Sequence, residues 1–296
     1  MVLHLIQGVM VAFVGLFSII MGRDCYKNRA SFSKKNPFIL GTVSLITMFF
    51  DTLGIGSVPP RTAFYKIGKI MPDNLIPGTL MIHDVIPCVI AAFIFMLTID
   101  VELLTLVTMV VAAALGATLG ARFVTKLPLQ KIQMILGVAL ILVALIISAQ
   151  QMNLMPPGGD AIGLHGWKLA VAVGGSCISG FLLNIGIPYY PTTMAVTYML
   201  GMSPRAIFPV MVTGCVMLMG AAGFHYIKKG AYDRKVCLIG AIAGSVGVAI
   251  AAFLVKEMPL YWLKWIVVVV LIYTSALMIR SSLKSHNAPK TVPTDA

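Results

Sequence analysis

An apolar helix that stops at glycine and restarts after proline occurs twice in this chain, in the same register. The first copy runs from Phe49 through Asp51, Gly54, Gly56, Ser57, Pro59 and Pro60 to Arg61; adding 132 to each number gives residues 181–193. The offset pairs Ser44 with Ser176, Ile46 with Ile178, Phe49 with Phe181, Gly54 with Gly186, Ile55 with Ile187, Pro59 with Pro191, Pro72 with Pro204 and Pro77 with Pro209. The glycine and proline matches weigh most, because these residues punctuate a backbone and seldom interchange inside an apolar helix. A duplicated, interrupted hydrophobic segment is the best pointer in a sequence to the binding site of a membrane transporter.

The surroundings of the two breaks are those of a membrane. Hydrophobic residues make up 59% of the chain and charged ones 11%, with mean hydropathy +0.95, which excludes a soluble domain. The net charge of +12 does not point to nucleic acid, since the cations sit in short loops between apolar runs, as the positive-inside rule requires. Cys25, Cys88, Cys177, Cys215 and Cys237 show no paired spacing and read as packing residues. There is no phosphate-loop motif and hence no direct nucleotide drive within the chain. No cofactor or metal is implied, and the chain is read as a non-enzyme. The N-terminal apolar run, about His4–Met21, has no basic leader and is read as a retained helix rather than a signal peptide.

Candidate spans run at about 4–21, 37–53, 74–97, 102–124, 132–149, 168–187, 206–226, 236–255 and 261–279. If both broken segments crossed fully, the 22 Lys and Arg would divide roughly 13 to 9 between the two sides. If each dips in and returns, only Lys168, Arg205, Lys256 and Lys264 of the 22 lie opposite the rest, and that stronger bias selects the re-entrant arrangement. The expected fold is an all-α polytopic membrane protein. It has an N-terminal helix and basic loop (1–36), inverted repeats at 37–149 and 168–280, an external linker at 150–167 and a cytoplasmic tail at 281–296. Each repeat is a re-entrant pair followed by three spans, with the N-terminus outside and the C-terminus in the cytoplasm. Trp167, Trp262 and Trp265 fall at span ends, where interfacial aromatics belong.

Broken helices persist at membrane depth only where protein or a water-filled cavity satisfies the freed backbone groups. Gly54 and Gly56 are expected to end the first inbound arm, and Pro59 and Pro60 to fit the first turn of the returning one. Asn184 and Gly186 end the second inbound arm, with Thr192 or Thr193 placed to cap its return. Two half-helix N-termini would then converge near mid-membrane and attract an anion. Arg61 could grip an oxyanion through paired donors, with Ser57, Tyr189 and Tyr190 alongside. Asp51, His83 and Asp84 lie at similar depth, His83 about ten residues or ~15 Å into its span. Intramembrane ionisable groups are functional candidates, here for proton coupling; the bland alternative is that the carboxylates only neutralise Arg61. The repeat partners of Asp51, His83 and Asp84 are Leu183, Cys215 and Val216, so only the first half is charged.

The Phe-x-x-x-x-Gly-Ile-Gly break of residues 49–56, its echo at Asn184, Gly186 and Pro188, and the set of spans resemble the TauE/SafE family of sulfite exporters. The resemblance implies an inner-membrane transporter that moves a small sulfur-containing or organic anion, such as sulfite or a sulfonate, usually outward. Two other classes are weighed beside it. A cation or metal transporter would use Asp51, His83 and Asp84 as ligands. An intramembrane aspartyl protease would use Asp51 and Asp84, but its Gly-x-Gly-Asp signature is missing, since Ser57 follows Gly56.

Overall fold

The computed structural model describes residues 2–33, 35–52, 57–98, 100–154, 159–203, 205–254, 265, 268–269, 272–273, 275–280 and 282–283. Gly54 and Gly56, the linker residues Pro156 and Pro157, Lys256, Trp262 and Lys264 lie outside them.

The chain is all-helical, with no strand among the described residues. In order the helices are α1 (Val2–Lys27), α2 (Pro37–Thr52), α3 (Val58–Ile67), α4 (Ile76–His83), α5 (Val85–Thr98), α6 (Leu103–Val124), α7 (Leu129–Gln151), α8 (Gly166–Leu183), α9 (Tyr189–Met199), α10 (Ile207–Lys229) and α11 (Arg234–Leu254). The described residues between 265 and 283 are also helical and pack on α7, where Ser275 Oγ donates to the Gly137 carbonyl at 2.6 Å. Among the described residues seven stretches are long and apolar enough to cross a membrane, so this is a multi-pass membrane protein. The most enclosed are α4–α5 and α10, against which α1 rests through Phe13 and Phe17 on Phe224, with ring centroids 5.6 and 5.3 Å apart.

Loop contacts sort the helix ends into two groups. At one end Arg234 Nε donates to Asp24 Oδ2 at 2.7 Å, and Lys235 Nζ reaches the Ser33 and Lys35 carbonyls at 2.9 and 2.6 Å. At that end too Lys66 pairs with Asp73, which also accepts from Gln133 at 2.7 Å, and Thr125 meets His225 at 3.0 Å. At the other end the Leu164 amide donates to Thr105 Oγ1 at 2.9 Å, the Glu102 amide to the Ile162 carbonyl at 3.0 Å, and the Gly159 amide to the Met202 carbonyl at 3.1 Å. The pair α2–α3 therefore starts and finishes at the first end, and α8–α9 starts and finishes at the second. The returning arms have 10 and 11 residues, about 15 Å of rise, which is half a hydrocarbon core.

The two halves also clasp each other by the same contact. A Cβ at Gly116 in α6 would lie 1.9 Å from the Cys177 carbonyl of α8, and one at Gly247 in α11 would lie 2.2 Å from the Leu45 carbonyl of α2. Leu45 and Cys177 are 132 apart, and Gly116 and Gly247 are 131 apart. Each of α2 and α8 is thus approached by a glycine on a helix from the other half of the chain, where a missing side chain lets backbones touch.

One feature of α4–α5 is not anticipated by the sequence reading, which runs a single span from 74 to 97. The helix breaks at Asp84. Pro87 has no amide to bond the His83 carbonyl, and its ring excludes that carbonyl from its usual place. The ladder resumes with Cys88 N–H on the Asp84 carbonyl at 2.9 Å. In α10 the repeat counterpart of Pro87 is Met219, and that helix is continuous.

Candidate functional site

At the first break, α2 remains apolar up to Asp51, and α3 begins with Pro59 and Pro60 in its first turn. The N-terminus of α3 already holds a carboxyl group, because the Ser57 amide donates to Asp51 Oδ1, the placement a helix dipole favours for a carboxylate. Arg61, one turn further on, is completely buried. Its Nε donates to Thr47 Oγ1 at 3.2 Å, its Nη2 lies 3.2 Å from Met48 Sδ, and its Nη1 serves both Asp84 Oδ1 and His83 Nδ1, the latter at 2.6 Å. The second oxygen of Asp84 accepts from Ser57 Oγ at 3.1 Å. His83 Nε2 meets Ser44 Oγ at 2.7 Å.

This cluster has two proton arrangements. Arg61 Nη1, His83 Nδ1 and Asp84 Oδ1 are mutually in contact, with Nδ1 2.6 Å from Oδ1. Since Nδ1 carries at most one hydrogen, either it is bare and accepts from Arg61, or it is protonated and donates to Asp84. With Asp51 and Asp84 ionised, the formal charge of Asp51, Arg61, His83 and Asp84 sums to −1 when His83 is neutral and to zero when His83 is charged. One further proton therefore balances the set. Of these four groups Arg61, His83 and Asp84 are fully buried and Asp51 is partly exposed.

Two local devices hold His83 in place. The Pro87 break puts His83 and Asp84 at a helix end rather than mid-ladder. Gly240 of α11 faces the ring so closely that a Cβ would lie 1.9 Å from both Cδ2 and Nε2.

At the second break α8 ends at Leu183, Asn184 closes the helix, and Gly186 turns the chain at φ +94°, a conformation few side chains tolerate. The expected cap is corrected here. Helix α9 starts at Tyr189 behind Pro188, so Thr192 and Thr193 lie inside it, and the Thr192 hydroxyl donates back to the Pro188 and Tyr189 carbonyls at 3.0 Å. Pro188 at the cap position sets the beginning of the helix four residues earlier than a cap at Thr192 would. Asn184 is fully used by the protein: its amide donates to the Ala117 and Gly180 carbonyls at 3.0 and 3.2 Å, and its oxygen accepts from Tyr226 at 3.0 Å. Tyr189 is buried, bonded to Ser176 Oγ at 2.9 Å and laid against Gly214; Thr193 is buried beside its hydroxyl.

Tyr190 joins the two breaks. It is electrostatically coupled to Cys215, Cys88 and Asp51, residues of the opposite half of the chain and of its own. The structure thus brings Asp51, Ser57, Arg61, His83 and Asp84 into one network and sets Tyr190 next to it, while Asn184 and Thr192 face internal partners. The sequence reading does not name Thr47, Met48, Pro87, Cys88 or Gly240 for the site. Ser44 was legible as one of the repeated positions, and Cys215 as the counterpart of His83.

A family model described as Sulfite exporter TauE/SafE matches residues 166–295, a stretch that contains the second break and all of residues 168–280, and it is the family that the two breaks resemble. No curated protein and no solved structure matched the chain.

Proposed function

We propose that the chain is a secondary transporter that exports a small sulfur-containing or organic anion, such as sulfite or a sulfonate, across the cell inner membrane. Transport would be by alternating access around a midplane site at the two breaks, with proton coupling through Asp51, His83 and Asp84. The observation that carries this reading is that Arg61 and the N-terminus of α3 already hold two carboxylates, those of Asp84 and Asp51. A site that binds carboxylates through a guanidinium, a hydroxyl and a helix-terminal amide offers the donors a small oxyanion needs. The substrate would replace Asp84 on Arg61 once a proton has neutralised the His83–Asp84 pair, and its departure would return the carboxylate and release the proton. Tyr190 and Ser57 would complete the pocket from opposite repeats, and Gly54, Gly56 and Gly186 would supply the close backbone. The proposed units remain repeats 37–149 and 168–280, joined by an external linker.

The test separates exchange from accumulation. In liposomes, exchange of labelled for unlabelled sulfite at equal pH needs no net proton movement. His83→Gln and Asp84→Asn are expected to retain exchange within about threefold while pH-driven accumulation falls by tenfold or more, roughly the loss of one proton-transfer group. Full pH-driven transport in both variants would make the pair structural.

Topology gives an independent check. The end that carries Lys66, Lys69, Arg234 and Lys235 would be cytoplasmic. Single cysteines at 66 or 69 in a Cys-free background should resist an impermeant thiol reagent added to intact cells, whereas one at 159 should react. Labelling at 66 and 69 from outside would overturn the orientation.

The cation-transporter alternative is less well supported. Among the described residues no three His, Cys, Asp or Glu side chains form a metal-holding group, and Arg61 occupies the lone pairs of His83 and Asp84 that a cation would need.

A further inference from the structure

At the end of the bundle that carries Arg234 and Lys66, the C-termini of α6 and α10 meet through Thr125 Oγ1 and His225 Nε2, 3.0 Å apart. Four cations surround that contact. Arg122 and Lys126 come from the end of α6 and Lys228 and Lys229 from the end of α10, each within four residues of Thr125 or His225 in the chain. All four are exposed, and among the described residues none forms an ion pair with a carboxylate. Two other cations at the same end are paired, Lys66 with Asp73 and Arg234 with Asp24. A general excess of positive charge on one membrane side does not require four cations from two helices to crowd a single contact, where they repel one another.

The surface beneath them is apolar and open. In the last turns of α6, nearest the cations, Leu115, Leu119 and Phe123 lie within about 80° of one another around the helix and are 47–61% exposed. Phe123 packs on Phe181 of α8 with ring centroids 5.6 Å apart. A polyanionic head beside a hydrocarbon track is the chemistry of a phospholipid, and basic pockets between helix ends are where anionic head groups bind.

We propose that Arg122, Lys126, Lys228 and Lys229 form a binding site for the phosphate head group of an anionic phospholipid, whose acyl chain lies along the exposed face of α6. The site is separate from the transport cluster, and its chemistry does not depend on which anion is carried. Each cation close to an anionic bilayer surface strengthens attachment by roughly fivefold, so removing two should weaken it by about tenfold or more.

The experiment uses the full-length protein in neutral detergent, titrated with dioleoylphosphatidylglycerol or dioleoylphosphatidylcholine while the thermal unfolding midpoint is read. The phosphatidylglycerol is expected to raise the midpoint and the phosphatidylcholine to leave it unchanged. Lys228→Gln/Lys229→Gln and, independently, Arg122→Gln/Lys126→Gln should each need about tenfold more phosphatidylglycerol for the same rise. Arg29→Gln removes an exposed cation that sits over Tyr26 and should leave the titration unchanged. Equal stabilisation by the two lipids, an unshifted titration in both double variants, or an equal loss in Arg29→Gln would overturn the proposal. So would inorganic phosphate reproducing the whole rise, since that would mark a site for a soluble anion.

Discussion

Replacing Arg61 by Ala is expected to cost about 3–5 kcal/mol of stability, the range seen when one partner of a buried ion pair is removed and the other is left charged in the interior. Asp84 would lose its guanidinium, and with Arg61 also go the contacts to His83, Thr47 and Met48. The measurement is the thermal midpoint and yield of purified variant, read beside sulfite transport in liposomes. A compensated pair distinguishes structure from function: Arg61→Met with Asp84→Leu removes both charges and should recover most of the lost stability, yet it should remain inactive if Arg61 holds the substrate. Arg61→Lys keeps a charge but not the fork that serves Asp84 and His83 together. It should fold and lose at least roughly tenfold in apparent affinity, the worth of one charge-assisted hydrogen bond. Wild-type transport by Arg61→Lys, or by the neutral pair, would reduce the cluster to a structural one.

The second large effect is expected at a residue with no chemistry of its own. A methyl group at Gly240 would lie 1.9 Å from two atoms of the His83 imidazole, so Gly240→Ala must push the ring off Ser44 and Arg61 or drive α11 away from α4. Overpacking of this kind costs about 1–3 kcal/mol. The functional consequence should match His83→Gln, with exchange retained and pH-driven accumulation lost. Gly41 of α2 is the control: its added Cβ would meet Ile239 and Ala243 of α11 at ordinary contact distances of 3.6 and 3.7 Å. Gly41→Ala should therefore leave accumulation within about twofold. If Gly240→Ala accumulates anion like the wild type, His83 tolerates displacement and is not the proton carrier.

The parts of this protein that follow from local covalent rules were legible in the sequence. Glycine and proline fix backbone angles wherever they stand, so Pro59, Pro60 and Gly186 mark helix ends with no knowledge of neighbours. The apolar runs were readable for the same reason, since a bilayer demands about 20 such residues per crossing irrespective of packing. The repeat could be found because duplicated breaks keep a constant offset. The cap at Thr192 was misread because capping depends on the residue at which the helix starts, and Pro188 moved that start.

What the sequence could not determine was partnership. It set Asp51, His83 and Asp84 at similar depth, but left open whether they faced Arg61 or one another, because depth fixes only one coordinate. Rotation about each helix axis is set by the neighbours it packs against, and here those are glycines far away in the chain: Gly240 beside His83, Gly247 beside Leu45 and Gly116 beside Cys177. Only the tertiary structure, by bringing α11 onto α2 and α6 onto α8, turns Arg61 toward Asp84 and sets Tyr190 of one repeat near Asp51 of the other.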